Sequence, residues 1–171
     1  VFTGCDLVLE AVFEEMAVKK EVFAELERVV SSECVLATNT SSLSVTEMGS
    51  ALEHPERLVG MHFFNPVAVL PLVELVRTPQ TDDATLATAW AVTKKLRKTG
   101  VLVRDAPGFV VNRLLGRQGS VVMDALDHGN TVDETDEAVL RMGLPMAPSV
   151  LLQLVGPKVA NHVRRTLHEA W

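Results

Sequence analysis

The sequence predicts an α/β fold, in which a largely parallel sheet covered by helices is followed by a mostly α-helical domain. Two observations lead to this prediction. Between residues 7 and 103, short apolar runs of strand length alternate with longer segments whose apolar residues recur at helical spacing. After Asp105-Ala106-Pro107-Gly108 no further strand is evident, and the apolar spacing stays helical. We therefore expect domains at residues 1–105 and 106–171.

Five strands and three helices are predicted in the first domain. Ser44-Val45-Thr46-Glu47 has the spacing of a capping box and should open the short second helix, and Gly100 is expected to end the third. In chain order the prediction is strand 7–11, helix 15–30, strand 35–38, the short helix from residue 44, strand 58–63, strand 72–76, helix 81–98 and strand 101–103.

The second domain is predicted to be helical throughout. We expect four helices. The first covers 109–126, the second begins at the capping box Thr131-Val132-Asp133-Glu134 and ends at Met142, and the last two cover 149–154 and 157–171. This segment is too short to close a core of its own, so a partner chain or a further part of the protein should cover its apolar face. Because the sequence starts without Met and stops inside a helical pattern, we expect it to be cut from a longer protein at both ends.

Composition excludes several classes of function. The 171 residues are 47% hydrophobic and carry a net charge of −6 with no basic cluster, which argues against a nucleic-acid partner. No apolar run reaches the roughly 20 residues that span a bilayer, so we expect no membrane span and a location in the bacterial cytoplasm or an organelle matrix. Cys5 and Cys34 are too few and too far apart for a metal site, and no metal is expected.

His62 and Glu74 are the leading candidates for chemistry. His62 lies between a strand-like run and an Asn-Pro turn, and Glu74 lies among Leu and Val, where an unpaired carboxylate is costly to bury. One interpretation is a general base whose second ring nitrogen is held by the carboxylate. The alternative is a core histidine satisfied by a backbone carbonyl and a glutamate on a sheet edge.

Three further groups of polar residues are candidates for binding. Asn39-Thr40-Ser41-Ser42 follows a strand. One interpretation is a binding site at the end of a parallel sheet, where ligands bind, and the alternative is a turn with capping hydroxyls. Asn112 is either a substrate contact or a solvated helix residue. Glu14 and Lys19 lie where a dinucleotide's ribose could be reached, although these two alone favour a solvated charge pair. The sequence has no G-x-G-x-x-G loop.

Several motifs in one order along the chain carry a resemblance to a known family. They are Asp6-Leu7-Val8-Leu9-Glu10-Ala11-Val12-Phe13-Glu14, Asn39-Thr40-Ser41-Ser42, His62-Phe63-Phe64-Asn65-Pro66, Leu72-Val73-Glu74, Asp105-Ala106-Pro107-Gly108-Phe109-Val110-Val111-Asn112-Arg113 and Gly143-Leu144-Pro145-Met146. Together they resemble the L-3-hydroxyacyl-CoA dehydrogenase family, including the dehydrogenase part of the multifunctional fatty-acid oxidation α subunit.

The resemblance implies catalytic roles for four residues. His62 would be the catalytic base and Glu74 its orienting partner. Ser41 would hydrogen-bond the substrate oxygen, and Asn112 would contact substrate from the helical domain. The implied reaction is oxidation of L-3-hydroxyacyl-CoA to 3-ketoacyl-CoA with NAD in fatty-acid β-oxidation.

The resemblance also implies a cofactor site and an architecture. Residues 1–105 would be the C-terminal part of a Rossmann-type NAD-binding domain that lacks its first βαβ unit, so we expect the isolated chain to be inactive. Residues 106–171 would be an incomplete helical domain for substrate binding and dimerisation. The nicotinamide and ribose of NAD would be lined by Val12, Phe13, Glu14, Lys19, Ser41 and Asn65.

The resemblance implies a 3-hydroxyacyl-CoA substrate. It also implies a protein partner, which is either a second copy of the chain or a multifunctional β-oxidation complex. Two alternatives stay open. One is an NADP-preferring 3-hydroxybutyryl-CoA dehydrogenase. The other is a non-catalytic structural module, such as a crystallin-like relative or an inactive subunit of a complex.

Overall fold

The computed structural model describes residue 2 and residues 4–169. These residues form two compact units, divided between Phe109 and Val110. The first unit ends after Phe109 because the side chain of Phe109, only 2% exposed, packs in the core of that unit. The connector that follows Asp105 is therefore part of the first unit.

The first unit is built on one five-stranded sheet in the order β1-β2-β3-β4-β5, which confirms the predicted α/β fold. The pairings β1-β2, β2-β3 and β4-β5 are parallel, and β3-β4 is antiparallel. The segment between β3 and β4 is shorter than the dozen or more residues that a parallel crossover needs. The strands are β1 Leu7–Glu10, β2 Val35–Thr38, β3 Leu58–Phe63, β4 Leu72–Arg77 and β5 Thr99–Arg104.

Helices cover both faces of this sheet, as predicted. Alternate residues of a strand point to opposite faces, so Leu36 lies in one apolar cluster and Ala37 in the other. Phe23 belongs to the first cluster and Leu86 to the second. The helices of this unit are α1 Met16–Val29, α2 Val45–Gly49 and α3 Asp83–Lys95, with a short 3-10 turn at Pro55–Arg57.

Gly100 does not end the third helix, which corrects the sequence prediction. α3 already ends at Lys95, and Arg97 turns the chain with a positive φ of 57°. Gly100 lies inside β5, opposite Val73 of β4. The ring of Trp90 occupies the space that a Cβ at position 100 would fill. Close approach of an aromatic ring, rather than a helix end, therefore explains this glycine.

The two predicted capping boxes differ. Thr131 Oγ1 accepts from the amide of Glu134 at 3.2 Å, and Glu134 Oε2 accepts from the amide of Thr131 at 2.7 Å, which confirms the box. Ser44 Oγ accepts from the amide of Glu47 at 3.1 Å, but the Glu47 carboxylate accepts from Lys20 Nζ at 2.9 Å instead of completing a capping box. Asp105 accepts from Ser44 Oγ at 2.9 Å, and so ties the connector to the start of α2.

The second unit is a set of four helices with little buried surface. Thr135 and Val139 of α5 are buried, whereas Leu114 and Met142 are 66% and 79% exposed. The predicted extension to Trp171 lies outside the described residues. No helix in the described part of the chain combines the length and apolarity needed to cross a membrane. The helices are α4 Val111–Asp127, α5 Val132–Arg141, α6 Pro148–Val155 and α7 Pro157–Glu169.

Replacing Gly60 in the middle of the sheet should destabilise the first unit. A Cβ at this position would lie 2.6 Å from Val76 Cβ and 3.2 Å from Val45 Cγ2, so Gly60→Ala should lower the unfolding free energy by about 1–3 kcal/mol, measured by urea unfolding. Gly119→Ala is the matched control, because no atom lies within 4 Å of its Cβ and alanine favours the helix. Equal stability of the two variants would contradict this packing.

Candidate active site

The carboxyl ends of the first three strands meet at one edge of the sheet. Glu10 at the end of β1 pairs in register with Thr38 at the end of β2, and Thr38 pairs with Gly60 of β3. His62 lies two positions further along β3. The candidate residues of the first unit therefore gather where open α/β sheets bind their ligands.

His62 and Glu74 form a buried pair across two strands. They are register partners in the antiparallel β3-β4 ladder, and His62 Nδ1 lies 2.8 Å from Glu74 Oε2. Their side chains are 6% and 1% exposed. Glu74 lies on an inner strand rather than on a sheet edge, and the partner of His62 Nδ1 is a carboxylate rather than a backbone carbonyl.

The pairing determines which ring nitrogen of His62 is available for chemistry. An ionised carboxylate only accepts hydrogen bonds, so the contact requires a proton on Nδ1, which donates a hydrogen bond to Glu74. Nε2 then holds the free lone pair and can accept a proton from a bound molecule. The arrangement is that of a general base held in one tautomer.

Two phenylalanine rings pack against the imidazole. The ring centroids of Phe64 and Phe109 lie 4.4 and 5.7 Å from that of His62, with interplanar angles of 52° and 55°. These contacts restrict rotation of the imidazole and cover it from solvent. Sequence reasoning did not assign either ring to the site, although each belongs to a motif that carries the resemblance.

Glu14 holds the polar loop after β2. Its Oε1 accepts from Thr40 Oγ1 at 2.6 Å, from the Ser41 amide at 2.8 Å and from Ser41 Oγ at 3.2 Å. Burial alone would raise the pKa of Glu14, but the hydrogen bonds from Thr40 and Ser41 and the charge of Lys19 hold that pKa below its ordinary value of 4.5. The carboxylate is therefore ionised at neutral pH and fixes the position of Ser41.

Lys19 is buried, and a solvated charge pair with Glu14 is therefore wrong. The Lys19 side chain is 1% exposed, and its Nζ lies 2.7 Å from Glu10 Oε1 and 3.3 Å from Glu14 Oε2. Glu10 is itself buried and accepts from Thr38 Oγ1 at 2.7 Å. Sequence analysis did not select Glu10 or Thr38. The available signal was a carboxylate that ends an apolar strand, the same signal that marked Glu74.

The remaining predicted residues lie at the surface or in the other unit. Val12 is 42% and Phe13 81% exposed, and the amide of Val12 donates to Glu10 Oε1 at 2.6 Å. Asn65 is exposed and precedes Pro66. Asn112 is half-buried in the first turn of α4, in the second unit.

Asn39 links the polar loop to the strand that carries the histidine. Its Oδ1 accepts from the backbone amide of Phe63 at 2.9 Å, directly after His62.

Among the described residues, no group of three or more His, Cys, Asp or Glu side chains is placed to hold a metal ion.

These features define a Rossmann-like unit with a histidine–carboxylate pair at its strand ends. Residues 1–106 match the family 3-hydroxyacyl-CoA dehydrogenase, NAD binding domain, and residues 108–171 match 3-hydroxyacyl-CoA dehydrogenase, C-terminal domain. The chain therefore belongs to the 3-hydroxyacyl-CoA dehydrogenase family.

Similar proteins extend beyond the chain. The fatty acid oxidation complex subunit alpha of Psychrobacter arcticus is 39% identical over 170 residues, which cover 99% of this chain and 24% of that protein. FadB2 of M. tuberculosis is 43% identical with a TM-score of 0.90, covering 96% of this chain and 59% of that one. The 3-hydroxybutyryl-CoA dehydrogenase of Escherichia coli K12 is 37% identical with a TM-score of 0.90, covering 98% and 36%. The chain thus spans about a quarter of the curated relatives that it matches.

The residues at the strand ends fit the nicotinamide riboside part of NAD. The exposed side chains of Val12 and Phe13 offer apolar surface to a flat ring. Beside them, Glu14 offers a partly exposed carboxylate and Ser41 a half-buried hydroxyl, the groups that accept hydrogen bonds from ribose hydroxyls.

Proposed function

We propose that the protein oxidises L-3-hydroxyacyl-CoA to 3-ketoacyl-CoA with NAD in fatty-acid β-oxidation. The observation that carries this proposal is the buried pair of His62 and Glu74 at the strand ends of an NAD-binding unit. Membership in the 3-hydroxyacyl-CoA dehydrogenase family and 39% identity to bacterial fatty acid oxidation subunits support the substrate class.

His62 acts as the base in this mechanism. Its Nε2 takes the proton of the substrate 3-hydroxyl group as the hydride leaves carbon 3, and Glu74 stabilises the imidazolium that forms. Bound NAD⁺ supplies the acceptor for that hydride. In the reverse reaction the imidazolium returns the proton to the carbonyl oxygen, because the same group serves as acid and base.

The other predicted residues orient the two bound molecules. Ser41, fixed by Glu14, hydrogen-bonds the substrate oxygen, and Asn112 contacts substrate from the helical domain. The nicotinamide and ribose are bound by Val12, Phe13, Glu14, Ser41 and Asn65. Lys19, which is buried, holds Glu14 in position for this contact. Holding the reacting groups in place in this way accounts for a large share of the rate enhancement in such enzymes.

A second candidate is reduction of acetoacetyl-CoA by an NADP-preferring 3-hydroxybutyryl-CoA dehydrogenase. It is favoured by solved structures that carry the 3-hydroxybutyryl-CoA dehydrogenase name, 37% and 34% identical to this chain. Comparing rates with NADH and NADPH separates the two candidates. The intact pair of His62 and Glu74 argues against a non-catalytic structural module.

Removing the base should abolish most of the activity. In the full-length protein, His62→Ala should lower turnover by about 10²-fold or more, because the proton then has no positioned acceptor, while NADH binding survives. Steady-state kinetics and fluorescence titration measure the two effects. His54→Ala is the matched control, since the His54 side chain is 61% exposed and away from the strand ends. Near-normal turnover of His62→Ala would remove His62 from its proposed role.

We also propose that the protein is cytoplasmic and forms a homodimer through its helical domain. The alternative, that it joins a β-oxidation complex, is supported by its bacterial relatives, which are named as alpha subunits of a fatty acid oxidation complex. Large apolar side chains exposed on the second unit support an interface there. They include Leu114, Val121, Met123, Val132, Met142 and Leu152.

Sedimentation of the full-length protein tests the dimer. Leu114→Glu places a charge on the proposed interface and should shift the protein toward the monomer, because a charge is poorly accommodated in an apolar contact. Val29→Glu, on the 54% exposed Val29 of the first unit, is the control and should leave the sedimentation coefficient unchanged. A wild-type protein that sediments as a monomer at all concentrations would contradict the dimer.

A further inference from the structure

We propose that Glu10 is a positioning residue of the cofactor site. It holds Lys19 between two carboxylates and keeps the local charge negative, which favours the oxidised nicotinamide cofactor over the reduced one. The inference rests on the proposed function, because it places the nicotinamide near Glu14.

Glu10 is fixed by contacts on both carboxylate oxygens. Oε1 accepts from the amide of Val12 at 2.6 Å and from Lys19 Nζ at 2.7 Å, and Oε2 accepts from Thr38 Oγ1 at 2.7 Å. Glu10 is 4% exposed and Thr38 is fully buried. A carboxylate buried with this many donors is held in one orientation, and its charge is little screened by solvent.

Lys19 connects Glu10 to Glu14, which lies at the surface of the site. Its Nζ lies 2.7 Å from Glu10 and 3.3 Å from Glu14, and its side chain is only 1% exposed. The ammonium group is therefore shared by two carboxylates below the surface. Glu14, with a side chain 25% exposed, is the member of the three that reaches the surface, and it holds Ser41 through its other oxygen.

The three charges do not cancel. Two carboxylates and one ammonium group leave a net charge of −1 in a partly buried cluster. The nicotinamide ring is cationic in NAD⁺ and neutral in NADH, so the cluster attracts the oxidised ring only. Without the charge of Glu10, Lys19 would neutralise Glu14 and the preference would decrease.

Binding of the two cofactors to the full-length Glu10→Gln protein tests the proposal. Glutamine has nearly the same shape and keeps an acceptor oxygen for Lys19, but it removes the charge. We expect the Kd for NAD⁺ to rise about 3- to 10-fold and the Kd for NADH to change less than about twofold, measured by calorimetry. Glu15→Gln is the control, because Glu15 is exposed and its loss removes the same unit charge. It should change neither Kd by more than about twofold.

A double variant separates charge from structure. Glu10→Gln combined with Lys19→Met removes one charge of each sign and restores the net charge of the cluster, so the ratio of the NAD⁺ and NADH affinities should return toward the wild-type ratio. An unchanged ratio in Glu10→Gln, or an equal loss for both cofactors, would overturn the proposal. Unfolding of both variants, seen by circular dichroism, would assign Glu10 a structural role only and would also overturn it.

The proposed function and this inference fail in different ways. A wild-type protein that binds both cofactors and does not turn over L-3-hydroxyacyl-CoA contradicts the proposed function, and the affinity ratios of the variants still test Glu10. If the full-length protein turns over its substrate normally and Glu10→Gln leaves the ratio of the NAD⁺ and NADH affinities unchanged, only the proposed role of Glu10 is contradicted.

Discussion

The hydrogen bond between His62 Nδ1 and Glu74 Oε2 is the interaction on which the site depends. A buried carboxylate without a partner would be strongly destabilising, so the pair can exist only where β3 and β4 are in their observed register. A shift of one residue along either strand would turn one side chain to the opposite face of the sheet. The antiparallel register therefore fixes both the fold of this region and the tautomer of the base. Phe64 and Phe109 then restrict the imidazole to this geometry.

A second set of polar residues lies at the ends of the parallel strands. Glu14 fixes the Ser41 loop, and Asn39 ties the same loop to the backbone of β3 beside the histidine. The proton acceptor and the loop proposed to bind substrate and cofactor thus share one rigid support. Such a site needs little reorganisation when a ligand binds, which is how enzymes lower the entropic part of a reaction barrier.

The fold class, the strands and the His62–Glu74 pair could be predicted because each leaves a local signal: apolar runs of a given length, or a charged residue within an apolar run. The burial of Lys19 could not be predicted, since it depends on Glu10 and Thr38 meeting across two strands that are distant in sequence. The prediction that Gly100 ends a helix is wrong for a similar reason. A glycine after a helical segment usually ends the helix, whereas this one makes room for a tryptophan ring within a strand.

The proposed mechanism requires that Glu74 hold His62 as the tautomer protonated on Nδ1. Nitrogen-15 NMR of the full-length protein with labelled histidine rings measures this state directly, and a spectrum of the His62→Ala variant assigns the signals. At a pH where the ring is neutral, we expect a protonated Nδ1 and an unprotonated Nε2 for His62, with the Nε2-protonated form appearing when Glu74 is replaced by leucine, which has no acceptor atom. A wild-type ring protonated on Nε2, or a tautomer that does not respond to the change at Glu74, would contradict it.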